Sequence, residues 1–274
     1  MLPYDDPGLP DEDSVGLPPP GDRGVLGDEG VASEGSVTVA VPRLPRISNF
    51  TDLAPLAREP GVRVAFVPLR DPLDDADAVV LPGTKNAVDD LVAARDAGLG
   101  RALDAFDGPV VGVCGGYQIL GDRLSNASVE ATDGVAADLG DDDAIPGFGL
   151  LPVETTYAAE KSVERVRVRV EGCGPLADAS GVVGGYEIHH GETVATGPVD
   201  RPLGSNSARR GPVVGTYLHG LFENDAVREA FVGVVFEAAG RRRPRTVARQ
   251  ASPFDAAASL VRDGLDLGAV GWER

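Results

Sequence analysis

A cysteine stands in the stretch Pro109-Val110-Val111-Gly112-Val113-Cys114-Gly115-Gly116-Tyr117-Gln118-Ile119-Leu120-Gly121, with a glycine two residues to either side. A β-branched run feeding a turn this tight pushes the side chain at its apex out at the C-terminal edge of a sheet, as in a nucleophile elbow. A helix opening at Gly115 aims backbone N–H groups and the positive end of its dipole at the sulfur, which favours the thiolate. A free cysteine is more often a small buried hydrophobe. That reading leaves Gly112 and Gly116 without a purpose, so Cys114 is read as a nucleophile.

A thiolate nucleophile needs a base and a site for developing negative charge. The base must come from His189, His190 and His219, the histidines of this chain. His219 ends the strand-like run Val213-Val214-Gly215-Thr216-Tyr217-Leu218 and precedes a helix, which puts it on the same sheet edge as Cys114. His189 and His190 lie in Gly184-Gly185-Tyr186-Glu187-Ile188-His189-His190-Gly191. Alternation sends Glu187 and His189 to one face and Ile188 and His190 to the other, so one histidine is expected in the pocket and one on the surface. Val80-Leu81-Pro82-Gly83-Thr84-Lys85-Asn86 reads as a strand end, a turn and a helix start. The N–H groups around Gly83 and Thr84, together with that of Gly115, are the oxyanion candidates.

The elements that must position these residues alternate between strand and helix. Val37, Val39 and Val41 alternate with smaller or more polar residues, and Val62 to Leu69, Ala76 to Leu81 and Val110 to Val113 are apolar runs of strand length. Asn86 to Phe106 carries apolar residues at helical spacing with a break at Gly98. Strands alternating with helices predict an α/β fold with a doubly wound, mostly parallel sheet. Further strands are expected over Val163 to Val170, Gly185 to Thr196 and Val213 to Leu218. A helix from Asn224 should bury Val227, Phe231, Val234, Val235 and Ala238 and stop at Gly240. Residues 1–35, dense in Pro, Gly, Asp and Glu, read as a linker, with order beginning near Ser36. Residues 36–240 read as one domain, and 241–274 as a tail with a short helix that Ser252 would cap.

The net charge of -18 argues against nucleic acid and anionic membrane as partners. Only Lys85 and Lys161 among the 25 basic residues are lysine; the rest are arginine. No apolar run reaches the roughly 18 residues of a membrane span, and no basic-then-apolar leader opens the sequence, so a cytoplasmic location is expected. Cys114 and Cys173 give no disulfide framework and no metal-ligand spacing, and no metal is expected.

Together these segments resemble the class I glutamine amidotransferase domains, most closely the branch that forms the C-terminal part of cobyric acid synthases. The resemblance covers roughly residues 36–240. It rests on Leu44-Pro45-Arg46-Ile47-Ser48-Asn49-Phe50-Thr51-Asp52, Leu81-Pro82-Gly83-Thr84-Lys85 with Asp90-Leu91, the elbow from Gly112 to Gly121, Gly185-Tyr186-Glu187-Ile188-His189, and Tyr217-Leu218-His219-Gly220-Leu221-Phe222. It implies a flavodoxin-like sheet on which Cys114 attacks the side-chain amide of glutamine while His219 moves the proton. By the same resemblance Gln118, Lys85, Glu187 and His189 are assigned to the substrate. The ammonia would pass to a synthetase domain or subunit that uses ATP and Mg to amidate the b, d, e and g carboxylates of adenosylcobyrinic acid a,c-diamide, a cobalamin precursor. No cofactor is expected in this chain itself.

Two features depart from the wider family. Its members carry a glutamate two residues after the histidine, and here that position is Leu221. Asp52 and Glu187 are the carboxylates in motifs that can reach the sheet edge, and either is a candidate to orient the imidazole. No G-x-x-x-x-G-K-S/T loop occurs, so the ATP-binding domain of the family enzymes is absent from these residues, and the opening segment to Val15 reads as a remnant of it. A split gene, a misplaced start codon and a truncation fit equally. Rival readings are the glutaminase half of cobyrinic acid a,c-diamide synthase or of a peptidoglycan-amidating complex, a non-catalytic docking module, and a cysteine peptidase on the same sheet.

Overall fold

The computed structural model describes residues 16–26, 35–244 and 253–264. In chain order its strands are β1 (Gly24–Leu26), β2 (Val37–Pro42), β3 (Val62–Val67), β4 (Ala78–Leu81), β5 (Val110–Val113), β6 (Arg123–Ser125), β7 (Ala144–Pro146), β8 (Val153–Glu171), β9 (Ser180–Ala195), β10 (Ser207–Arg210) and β11 (Val213–Thr216). The helices are α1 (Ala54–Ala57), α2 (Ala87–Ala97), α3 (Leu99–Asp104), α4 (Gly115–Leu120), α5 (Asp133–Ala136), α6 (Asp225–Ala238) and α7 (Pro253–Gly264).

The apolar runs make the centre of one sheet, ordered β1-β3-β2-β4-β5-β11-β10. Its five inner strands are mutually parallel, with β1 and β10 antiparallel at the edges. Every residue of β4 and β5 is buried, as expected of strands covered on both faces, which is why they read as unbroken apolar runs. Counted along the chain, the parallel strands stand in the order 2-1-3-4-5 of flavodoxin-like sheets. The chain leaves β2 for β3 in one direction and β4 for β5 in the other, so the winding reverses between β2 and β4. The crevice at the carboxyl ends of such strands is where ligands bind.

The helices follow their local signals. Asn86 caps α2 by accepting a hydrogen bond from the Asp89 N–H at 2.8 Å, and Gly98, at φ 90°, separates α2 from α3. Helix α6 buries Val227, Phe231 and Val235 as expected. Ala230, Val232 and Phe236 are buried as well, whereas Val234 is half-buried and Ala238 exposed. The buried stripe is therefore centred slightly off the predicted one.

Two features lay beyond the sequence reading. Gly24–Leu26, expected within a linker, pairs with β3 as an edge strand; three residues carry too little periodicity to be seen. The strand-rich second half builds a separate sheet, β7-β6-β8-β9, dominated by the long β8–β9 ribbon. The C-terminal helix is present as α7, but Ser252, its expected cap, lies outside the described residues, as do 1–15 and 27–34 of the proposed linker. Among the described residues no helix is long and apolar enough to cross a membrane.

Phe231 is fully buried and its ring packs on Phe222, centroids 5.2 Å apart, which anchors α6 to the turn after β11. Phe231→Ala is expected to cost about 3–5 kcal/mol by opening a cavity there. Urea unfolding of the two chains measures it.

Candidate active site

Cys114 sits between β5 and α4 at φ 53°, ψ -113°, held by a hydrogen bond from its own N–H to the Thr216 carbonyl at 2.8 Å. The flanking glycines are required by close approach. A β-carbon at Gly116 would run into the Leu81 carbonyl oxygen, and one at Gly112 would stand 2.6 Å from Leu120 Cδ1 and 2.8 Å from the Gly116 oxygen. The helix therefore lies with its backbone directly on the end of β4. The thiol donates to the Ile188 carbonyl at 3.2 Å.

His219 follows β11 and is fully buried. Its Nδ1 lies 2.7 Å from Asp52 Oδ2, while Asp52 Oδ1 accepts from the Gly220 N–H at 2.9 Å. Asp52 comes from the loop after β2, so the acid reaches the histidine from across the switch point. Burial alone would lower the imidazole pKa, but the hydrogen bonds with Asp52 and Cys114, and the charges of both, overcome it and raise the value to about 10. With Nδ1 committed to Asp52, Nε2 is left for the cavity side, where the Asn49 amide lies 3.4 Å away. Tyr186 stacks on the ring at 5.0 Å, and its backbone pairs with that of His219.

The turn after β4 is fixed by a network. Arg46 forms ion pairs with Asp89 at 2.8 Å and Asp90 at 3.2 Å, and Asp90 accepts from the Thr84 hydroxyl at 2.6 Å. These bonds tie the β2 loop, the Gly83–Lys85 turn and the start of α2 into one wall. A cavity of about 270 Å³ opens beside it. Thr84, Lys85, Cys114, Gly115, Gln118, His189 and His190 all line it. Gln118 is buried and held on both ends of its amide, donating to Tyr217 Oη at 3.1 Å and accepting from Tyr157 Oη at 3.2 Å. Gly83 stands behind this wall against His219 and Ser48 rather than on it: a β-carbon there would be 3.3 Å from His219 Cε1.

Two expectations are corrected. Glu187 neither orients His219 nor faces the cavity: it is buried, accepts from the Asn206 amide at 2.6 Å and lies 3.8 Å from His189. Asp52 occupies the orienting position instead, because the β2 loop ends at His219 while the pleat of β9 turns Glu187 away. Nor is one of the two histidines on the surface. His189 and His190 pair with Ser162 and Lys161 just before the ribbon loses its register opposite Gly191 at φ 86°, and both line the cavity. The His189 ring stacks on Tyr217 at 3.9 Å.

The sequence reading missed Glu130. It lines the cavity, accepts from the Ala87 N–H at the start of α2, and sits with Lys161 on the same wall. Burial, together with the charges of Asp89 and Asp90, lifts its carboxyl to about 7 against the opposing pull of the Ala87 N–H and Lys161. No spacing rule marks it, since it stands alone in a loop. Lys161, in the ribbon, likewise carried no motif. Cys173 lies elsewhere, with its thiol pushed up by partial burial.

Residues 38–227 match the family model described as the CobB/CobQ-like glutamine amidotransferase domain. The chain is 59% identical over 273 residues to a probable cobyric acid synthase of Halobacterium salinarum, covering 99% of this chain and 52% of that protein. It is 42% identical over 243 residues to a cobyric acid synthase of Pelotomaculum thermopropionicum, covering 82% of this chain and 43% of that protein. It thus spans about half the length of the curated relatives it matches. Among solved structures, PurLQS from Thermotoga maritima superposes with a TM-score of 0.52 at 17% identity, over 73% of this chain and 98% of that one, a likeness of fold.

The raised His219 pKa makes a pH prediction. A histidine titrating near 10 when folded and near 6.5 when unfolded contributes stability that is fully present below about pH 6.5 and lost as pH rises through about 10. Asp52→Asn should lower the folded value. The stability gap between the parent chain and this variant is then widest near pH 6 and narrows toward pH 10, as denaturant titrations across that range would record.

Proposed function

The chain belongs to the CobB/CobQ-like glutamine amidotransferase domain family, and we propose that it hydrolyses glutamine to supply ammonia for a cobyric acid synthase reaction. The observation that carries this reading is the linkage of Asp52 through the buried His219 to Cys114, whose side chain lines the cavity. The Cys114 thiol passes its proton to His219 Nε2 as the sulfur becomes the nucleophile. The Cys114 sulfur attacks the δ-carbon of the substrate amide, and the oxygen takes up negative charge beside Thr84 and Gly115. His219 gives its Nε2 proton to the amide nitrogen as the carbon–nitrogen bond breaks, and ammonia leaves a glutamyl thioester. The now neutral Nε2 takes a proton from water as the water oxygen attacks that thioester, and glutamate departs as the carbon–sulfur bond breaks.

The cavity also suits the other end of a glutamine. Its α-carboxylate is matched by Lys85 and Lys161, its α-ammonium by Glu130, and the amide of Gln118 is locked in place to face it. The relatives' names support cobyric acid synthase over the other amide ligases, so the ammonia is assigned to the b, d, e and g carboxylates of adenosylcobyrinic acid a,c-diamide. ATP and Mg would serve the synthetase part that makes up the rest of those longer proteins. The present chain has no G-x-x-x-x-G-K-S/T loop, and among the described residues no group of three or more His, Cys, Asp or Glu side chains is arranged to hold a metal ion.

Glutaminase assays of Cys114→Ser and Cys114→Ala should show loss of on the order of 10⁴-fold or more in kcat with the fold intact by circular dichroism. A glutamine-like diazoketone should alkylate Cys114 and spare Cys173, read by peptide mass spectrometry. Modification of Cys173 alone would refute the assignment. Glu130→Gln should raise KM by roughly tenfold or more while changing kcat less, because it removes a contact made equally to substrate and transition state.

A further inference from the structure

Alternate residues of β8 put Lys161, Val163, Arg165, Arg167 and Arg169 on one face of the long ribbon. Their cross-strand partners on β9 are His190, Ile188, Tyr186, Gly184 and Val182, so no carboxylate stands directly opposite any of them. The face is continuous with the site: Lys161, Ile188 and His190 line the cavity, and the row of arginines runs outward from its rim. The three arginines are exposed, and so are Val163 at 64% and Val182 at 54%. Among the described residues, none of the ion pairs involves Arg165, Arg167 or Arg169.

This arrangement is costly for the chain alone. Like charges two residues apart on one strand face repel, and the exposed valines flanking them gain nothing from water. In a protein of net charge -18 a basic and apolar face beside the cavity mouth is complementary to an acidic surface. The relatives supply the candidate, since this chain accounts for only 52% of the Halobacterium protein and ammonia made in the cavity must reach the remainder without escaping to water. We propose that the Lys161–Arg169 face of the ribbon docks an acidic surface of the ATP-dependent part of the synthase, which places that part over the cavity mouth. The proposal rests on the glutaminase reading above.

The test is co-expression of the whole 274-residue chain with the ATP-dependent synthetase polypeptide, and measurement of their association by sedimentation at several salt concentrations. The triple variant Arg165→Glu, Arg167→Glu, Arg169→Glu should weaken association by roughly 10- to 100-fold, with the difference shrinking as salt rises. The triple lysine variant should stay within about threefold of the parent. Diazoketone labelling of Cys114 in the isolated chain should be the same for all three, since none of these arginines lines the cavity. Association unaffected by charge reversal, or no complex with the parent chain, overturns the proposal. Loss of labelling in the glutamate variant alone would also overturn it, by showing that the face belongs to the site's own structure. Failure of Cys114 labelling in every chain would refute the glutaminase reading instead, a result the association data do not share.

Discussion

The backbone of α4 rests on the carbonyl groups that end β4, and the site is arranged around that contact. Only a residue without a side chain can sit at Gly116 against Leu81, and the same closeness brings Gly115 against Thr84. Because the helix is held this near, Cys114 has nowhere to point except into the crevice above β4, β5 and β11. The wall opposite it is then built from whatever those strand ends carry: the Thr84 turn, the loop with Asn49 and Asp52, and His219. A helix standing an ångström farther off would separate the sulfur from both the turn and the imidazole.

The second dependence is electrostatic. A fully buried histidine carrying a charge is tolerated only when its partners are complete. Asp52 meets that condition with both oxygens, one on the imidazole and one on the Gly220 N–H. The pair also joins the loop after β2 to the strand end of β11, two positions separated by β4 and β5 in the sheet order. Tyr186 closes the remaining face of the ring. Orientation of the imidazole is therefore shared between two loops and the ribbon.

What could be read in the sequence was local. The elbow, the strand runs of the parallel sheet and the Gly98 break are each encoded within a few residues, and short-range sterics or burial on both faces made them plain. Asp52 and Glu187 could not be separated, because choosing between them depends on which loop ends against His219, a matter of strand order and not of spacing. Glu130 and Lys161 were invisible for the same reason: each is a single charged residue brought to the cavity by tertiary packing. Strict alternation along the strand sends one of His189 and His190 away from the cavity, yet both line it, because the end of a long ribbon next to a register shift is not a flat two-faced sheet. Gly24–Leu26 was lost among linker-like composition. Pattern reading therefore recovered the scaffold and the neighbouring positions of Cys114 and His219, and failed where long-range placement decides.

One torsion angle has a bearing on the protein's history as much as on its chemistry. Among the described residues Cys114 is one of the few non-glycine residues with positive φ, and its ψ of -113° lies outside the small basin that side-chain-bearing residues tolerate there. Such a backbone costs on the order of 1–3 kcal/mol. Glycine would relax it at once, so a more stable chain of this design would lack the thiol. The thiol is thus maintained uphill, and selection for thermal robustness alone would tend to erase it.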